Sequence, residues 1–262
     1  MKKTLCLVAL VATLLTMCAF AQDSKVMPPI SARQNVLRGS GQVLKFGPHT
    51  NTPPSYCSPC LFYGGDIDTN SSQANGLWNS VSNLGGTVVD GFVSVPFQIP
   101  SGQNWIIGGL FGNDLATVGS AASQTWSVSS GVSSGNGGTV LASGTGRVTA
   151  TATGRVAFGL TEYTFMSKLP NSGRVHLSSG TYFMVAYPNC PNPSSCSGSI
   201  YYLSDSPDNP PTNAVGHEPG NDSFFTSTYF GYSYAPTWGS SGACGGVGCP
   251  RFSSGLIGGK SH

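Results

Sequence analysis

Charge is what this 262-residue chain has least of. Asp, Glu, Lys and Arg together make up 8% of it, against roughly 25% in an ordinary soluble domain. Glutamate occurs only at Glu162 and Glu218, and no run of either sign appears anywhere. Nucleic-acid binding rests on clustered Lys and Arg that neutralise phosphates, so that class of partner is excluded, and attraction to an acidic membrane surface with it. Long apolar stretches are missing too. The most apolar one, residues 5–15, falls short of the roughly 20 residues that cross a bilayer, so no membrane span is expected. Helical periodicity is the third absence. With 36 glycines, 18 prolines and abundant serine, the chain is poor in helix formers and rich in residues that turn the backbone.

What is present begins with a leader. Met1-Lys2-Lys3, the apolar run and Ala19-Phe20-Ala21 ahead of Gln22 have the order of a secretory signal peptide covering residues 1–21, cleaved after Ala21. Lipidation at Cys18 is the weaker reading, because Met17 stands where lipoprotein processing wants a small residue. Cleavage removes Lys2 and Lys3, which leaves ten basic and ten acidic residues and a formal net charge of zero. The sequence therefore predicts a secreted product, extracellular or held in the cell envelope.

Residues 22–60 read as an extended Pro-rich segment, a linker or a strap. Residues 61–258 read as one domain, with 39% hydrophobic residues, 13 Phe, 10 Tyr and 4 Trp in the chain to build a core. From residue 61 onward the apolar period is two. Val93, Val95, Phe97 and Ile99 alternate with polar residues, and Pro96 among them suggests an edge or a bulge. Further strands are expected at 103–111, 124–129, 138–142, 147–153, 156–165, 199–203, 223–234 and 251–257, with Gly154 as a break. Residues 181–187, apolar on both faces, should lie centrally. About ten strands and no helix make an all-β protein: an antiparallel, jelly-roll-like β-sandwich.

Cys6 and Cys18 leave with the leader. The other six cysteines form three close pairs: Cys57 and Cys60, Cys190 and Cys196, Cys244 and Cys249. In an exported chain they read as disulfides, with Cys190–Cys196 the simplest pairing. Cross-pairing of the first pair with the last, tying the ends of the domain together, is an alternative, and so is zinc on Cys57-x-x-Cys60.

Catalytic motifs are thin. Gly131-Val132-Ser133-Ser134-Gly135 has the letters of a nucleophile elbow, but Asn136-Gly137-Gly138 cannot start the helix that motif requires. His217-Glu218-Pro219 lacks the second histidine of a zinc protease. Glu162, between Thr161 and Tyr163, is the only strand-borne glutamate, and a glycosidase needs two facing carboxylates. Asp66-x-Asp68-x-Asn70 has the oxygen spacing that opens a calcium loop. Ser71 replaces its glycine and Leu77 its closing glutamate, so any calcium site there would be weak, and a polar turn is the plainer alternative. Trp105 and Trp126 are assigned to the core. Trp238, Tyr232 and Tyr234 are the aromatic candidates for a ligand-binding face.

Three stretches carry a resemblance: Val89-Asp90-Gly91-Phe92, residues 137–145 from Gly137-Gly138-Thr139 to Thr145, and Leu177-Ser178-Ser179-Gly180-Thr181-Tyr182-Phe183. In that order they resemble the secreted bacterial β-sandwich modules found in exosortase-sorted (PEP-CTERM) and other surface-anchored proteins. The resemblance implies export and fold, and carries no catalytic residues. Such modules often end in an anchor, whereas this chain ends Gly258-Gly259-Lys260-Ser261-His262, so release, or retention by contacts alone, is expected. The functional expectation is a non-catalytic structural or binding module with a glycan or an envelope or matrix component as partner. A carbohydrate-binding module with weak calcium is the alternative, and a glycan hydrolase the remote one.

Overall fold

The computed structural model describes residues 36–38, 52–67, 75–190, 199–206, 213–216, 223–237, 243 and 251–261. The expected leader, Asp68, Asn70, Cys196, Trp238, Cys244 and Cys249 lie outside these. The described chain is β throughout apart from one 3-10 turn at Asn171–Gly173. In chain order its strands are β1 (Val36–Arg38), β2 (Cys60–Tyr63), β3 (Asn75–Trp78), β4 (Ser80–Leu84), β5 (Thr87–Ile99), β6 (Asn104–Ala116), β7 (Ser123–Ser130), β8 (Thr139–Gly146) and β9 (Thr149–Ala157). They continue with β10 (Leu160–Lys168), β11 (Val175–Leu177), β12 (Gly180–Cys190), β13 (Tyr201–Ser206), β14 (Phe224–Ser227), β15 (Tyr232–Pro236), β16 (Arg251–Phe252) and β17 (Ser254–Ser261).

Two sheets form. One is built around β6, in the order β1-β3-β13-β6-β10-β9, with β17 and β11 also on β6, β2 on β17 and β16 on β13. The other runs β15-β14-β5-β4-β12-β7-β8. Their facing sides make the core: Trp105, Ile107 and Leu110 of the first sheet meet Val93, Val95, Phe97, Val128 and Met184 of the second, all buried. The Phe97 and Trp105 rings stack across it at 6.1 Å. The β-sandwich expected from the alternating pattern is the architecture, with seventeen strand segments where the pattern displayed about ten. The additional ones are mostly short. One pairing departs from antiparallel: β4 wedges between β5 and β12 and runs parallel to β12 at Asn189↔Val81 and Cys190↔Ser82.

β12 is central, as its two apolar faces required, with β5 and β4 on one side and β7 on the other. Pro96 sits where β14, which pairs with Phe92–Ser94, no longer continues, so its missing N–H disrupts no pairing on that flank. Val36–Arg38, inside the segment read as linker or strap, pairs with β3 and so belongs to the sheet.

Trp126 packs against the core as expected, half-buried, with Gly144 beside it where a Cβ would fall 2.9 Å from the ring. One expectation needs correcting. Gly154 does not end a strand. The turn comes at Phe158 and Gly159, both with positive φ (54° and 77°), which is the geometry of a two-residue hairpin loop. Gly154, at φ 85°, instead makes a bulge within β9. Between the pairs Thr161↔Val156 and Tyr163↔Ala152, Thr153, Gly154 and Arg155 stand opposite the single residue Glu162.

Candidate functional site

That bulge builds the most polar part of the interior. Register places Glu162, Thr164 and Met166 of β10 on one face, with Leu115, Asn113 and Phe111 of β6 opposite them. Phe165, on the other face, packs with Tyr201 toward the interior. Glu162 is fully buried. Its Oε2 accepts from Arg155 Nε at 2.5 Å and Thr153 Oγ1 at 2.8 Å, and its Oε1 from Ser204 Oγ at 2.7 Å. The bulge is what turns Arg155 and Thr153 onto this carboxylate, since a regular ladder would set only one residue opposite it.

Arg155 holds a second carboxylate. Its Nη1 lies 2.8 Å from Asp66 Oδ1, the same oxygen that accepts from Tyr63 Oη at 2.5 Å. Tyr63 in turn accepts from Asn113 Nδ2 at 3.3 Å, and Asn113 also reaches Ser253 at 2.8 Å and Tyr56 at 3.1 Å. Thr164 donates to Asn113 Oδ1 at 2.7 Å. Tyr56 and Tyr63 pack on Phe111, Met166 and Ile257 beside Cys57, which is disulfide-bonded to Cys60. The tyrosines therefore roof this face of the sheet. Burial opposes charge on Arg155, and Glu162, Tyr63 and Asp66 outweigh it, so the guanidinium pKa lies above its ordinary value. Burial pushes the Tyr63 phenol well above its usual range, reinforced by Tyr56 and Asp66, which keeps it a donor.

A separate buried acid, Asp114, lies on the opposite face of β6, where Asn79 Nδ2 donates to its Oδ1 at 2.8 Å and to the Ala186 carbonyl at 3.0 Å. Burial holds the Asp114 carboxyl well above its ordinary range; the Asn79 bond pulls down and Glu162 adds to the rise.

Beyond the roof the same outer face opens into a cleft of about 390 Å³, lined by Pro59, Ile106, Gly108, Lys168, Arg174 and the 257–259 stretch of β17. Lys168 ends β10 opposite Gly109, and Arg174 precedes β11, with its Nε 4.0 Å from where a Cβ on Gly108 would be. Both cations are exposed. The cleft floor is glycine: a Cβ on Gly259 would have nothing within 4 Å. A smaller pocket of about 280 Å³ adjoins it across Ile106, with His176 and Asn104 in its wall.

The residues singled out in the sequence are distributed as follows. Asp66 is buried and ion-paired with Arg155, while Asp68 and Asn70, its proposed partners for calcium, lie outside the described residues. Among the described residues no group of three His, Cys, Asp or Glu side chains converges as metal ligands would. Cys57 and Cys60 form a disulfide, which takes both thiols from the zinc alternative and from cross-pairing with the last pair. Cys190 is disulfide-bonded as well. Tyr232 turns its ring against Phe225, at 5.4 Å, while Tyr234 meets Phe92 edge-on at 6.3 Å. Phe92 stacks on Tyr187 at 5.5 Å and 12°, so Tyr234 joins a half-buried aromatic strip and Tyr232 supports the core. Trp238 lies outside the described residues.

Sequence reading missed Arg155, Tyr63, Asn113, Lys168 and Arg174. Gly154 was the one signal available, since a glycine inside a strand pattern marks a bulge as well as a break. Among the described residues no helix is long and apolar enough to cross a membrane. No family model, no curated protein and no solved structure matches this chain.

Proposed function

We propose that this protein is an exported, non-catalytic module that binds or forms structure at the cell exterior, of the kind the resemblance to exosortase-sorted surface modules implies. The observation that supports it is the use made of the interior carboxylates. Glu162, the strand-borne glutamate, takes bonds from Arg155, Thr153 and Ser204, and Asp66 shares the same arginine. Paired acids of a glycosidase flank a substrate and change protonation during the reaction. These two flank one arginine and both take its hydrogen bonds, an arrangement that cross-links the fold. Hydrolysis of glycans is the outcome that sinks the proposal: incubation of the exported chain with a polysaccharide panel should release no reducing ends.

Carbohydrate binding is the second reading, favoured by the aromatic strip of Phe92, Tyr187 and Tyr234 on the outer side of the seven-stranded sheet. A glycan array decides between the two forms. Binding to one sugar class makes the module a carbohydrate binder, and silence leaves it a structural component of the envelope or matrix.

A further inference from the structure

The chain is neutral once its leader is removed, but its described surface is not. Four acids have described side chains. Asp66, Asp114 and Glu162 are buried, and Asp90 is half-buried, its two oxygens accepting from the backbone N–H groups of Thr228 and Tyr229. Exposed charged side chains among the described residues are all basic: Arg147, Lys168, Arg174 and Lys260. Among the described side chains the acids are turned inward, and every cation except the buried Arg155 and the half-buried Arg251 is exposed. A cleft walled by charge of one sign concentrates the field that attracts a counter-charge.

Two of these cations stand at one opening. Lys168 and Arg174 line the cleft of about 390 Å³, with Ile106, Pro59 and Ile257 as its apolar surface and no acidic residue among the described residues of its wall. Lys260, although next in sequence to the cleft residue Gly259, is turned away by strand alternation. Its register partner is Trp105, and its Nζ lies 5.9 Å from that ring. The space itself depends on glycine. Gly259 pairs with Ile106, and a Cβ there would project into open volume, while one on Gly108 would come no closer than 3.8 Å to any neighbour. Ordinary strand residues at these two positions would fill the opening.

We propose that this cleft binds an acidic polysaccharide, with the carboxylate or sulfate groups of the sugar chain on Lys168 and Arg174 and the C–H faces of its rings on Ile106 and Pro59. The inference rests on the binding form of the proposed function and names its ligand class. An arginine fork takes a planar carboxylate or a sulfate edge by two parallel bonds, and the lysine adds a point charge that either anion satisfies. The open ends of the cleft, continued past Ile106 by the pocket at His176 and Asn104, suit an extended chain more than a compact ion.

The test measures affinity of the exported chain for polygalacturonate, heparin, neutral dextran and poly-glutamate. Polygalacturonate and heparin separate carboxylate from sulfate as the preferred group, and binding to either is expected to weaken as salt rises. Lys168→Ala with Arg174→Ala, and separately Gly259→Leu, should each weaken it by about tenfold or more, as loss of charged hydrogen bonds does, at an unchanged melting temperature. Lys260→Ala alone, which removes one cation turned onto Trp105, should weaken binding less than Lys168→Ala alone, which removes one cation from the cleft. Equal binding to dextran, binding to poly-glutamate alone, or equal losses in these two single-lysine variants would overturn the inference and leave the module a binder of something else. Silence toward every polysaccharide overturns it too, and leaves only the structural form of the proposed function standing.

Discussion

Arg155 Nε meets Glu162 Oε2 at 2.5 Å across a bulge that sets three residues of β9 opposite one of β10. The pair is fully enclosed, and the same guanidinium reaches Asp66 from the segment that follows β2. One arginine thus joins residues some 90 positions apart in the chain.

Removing that arginine is expected to be severe. Arg155→Met leaves two buried carboxylates without a cation, a change worth about 3–5 kcal/mol. Adding Glu162→Gln and Asp66→Asn to it should restore much of the loss, since neutral amides tolerate burial far better than carboxylates. Urea unfolding of the parent and the two variants measures the recovery, and a triple variant no better than Arg155→Met would show that the charge itself was unimportant.

Asp114 makes stability depend on pH in the opposite sense to most acids. Its folded pKa is raised above the ordinary 3.8. Between those two values the folded protein keeps a proton that the unfolded chain has released, so stability falls as pH rises. Asp114 Oδ2 is buried without a hydrogen-bond partner among the described residues, so nothing there offsets the cost of burying the charge. Asp114→Asn keeps the position neutral at every pH. Its stability relative to the parent should therefore grow as pH is raised above about 4, and a difference independent of pH would refute the assignment.

Two adjacent glycines should respond differently to alanine. A Cβ on Gly258 would fall 2.0 Å from the Ile106 carbonyl oxygen, a backbone atom of the neighbouring strand. Gly258→Ala is expected to cost about 1–3 kcal/mol as overpacking does. Gly259→Ala meets nothing within 4 Å and should stay within about 0.5 kcal/mol of the parent. Thermal melts of the two variants are sufficient, and similar losses in both would mean that β17 does not lie this close to β6.

Calcium is expected to leave the melting temperature unchanged up to millimolar concentration. The first ligand of the Asp66-x-Asp68-x-Asn70 pattern faces inward onto Arg155 and Tyr63, and binding would have to break that ion pair. A calcium-dependent rise that disappears in Asp68→Ala with Asn70→Ala would restore the loop as a metal site.

What the sequence by itself determined is the fold class. Alternation such as Val93, Val95, Phe97 and Ile99 commits one face of a strand to burial, and 36 glycines with 18 prolines leave no room for helices. The centrality of β12 was legible for the same reason, because apolar side chains on both of its faces can be satisfied only between neighbours. The site was not legible. Glu162 reads identically whether it faces solvent, substrate or an arginine, and the choice was made by a bulge whose only trace is Gly154. Lys168 and Arg174 are unremarkable singly in a chain whose 12 basic and 10 acidic residues nearly balance. Among the described residues only the tertiary structure separated the charges, because Glu162 and Asp66 found an interior cation in Arg155 and Asp114 an interior amide in Asn79, while Lys168 and Arg174 stayed exposed to water.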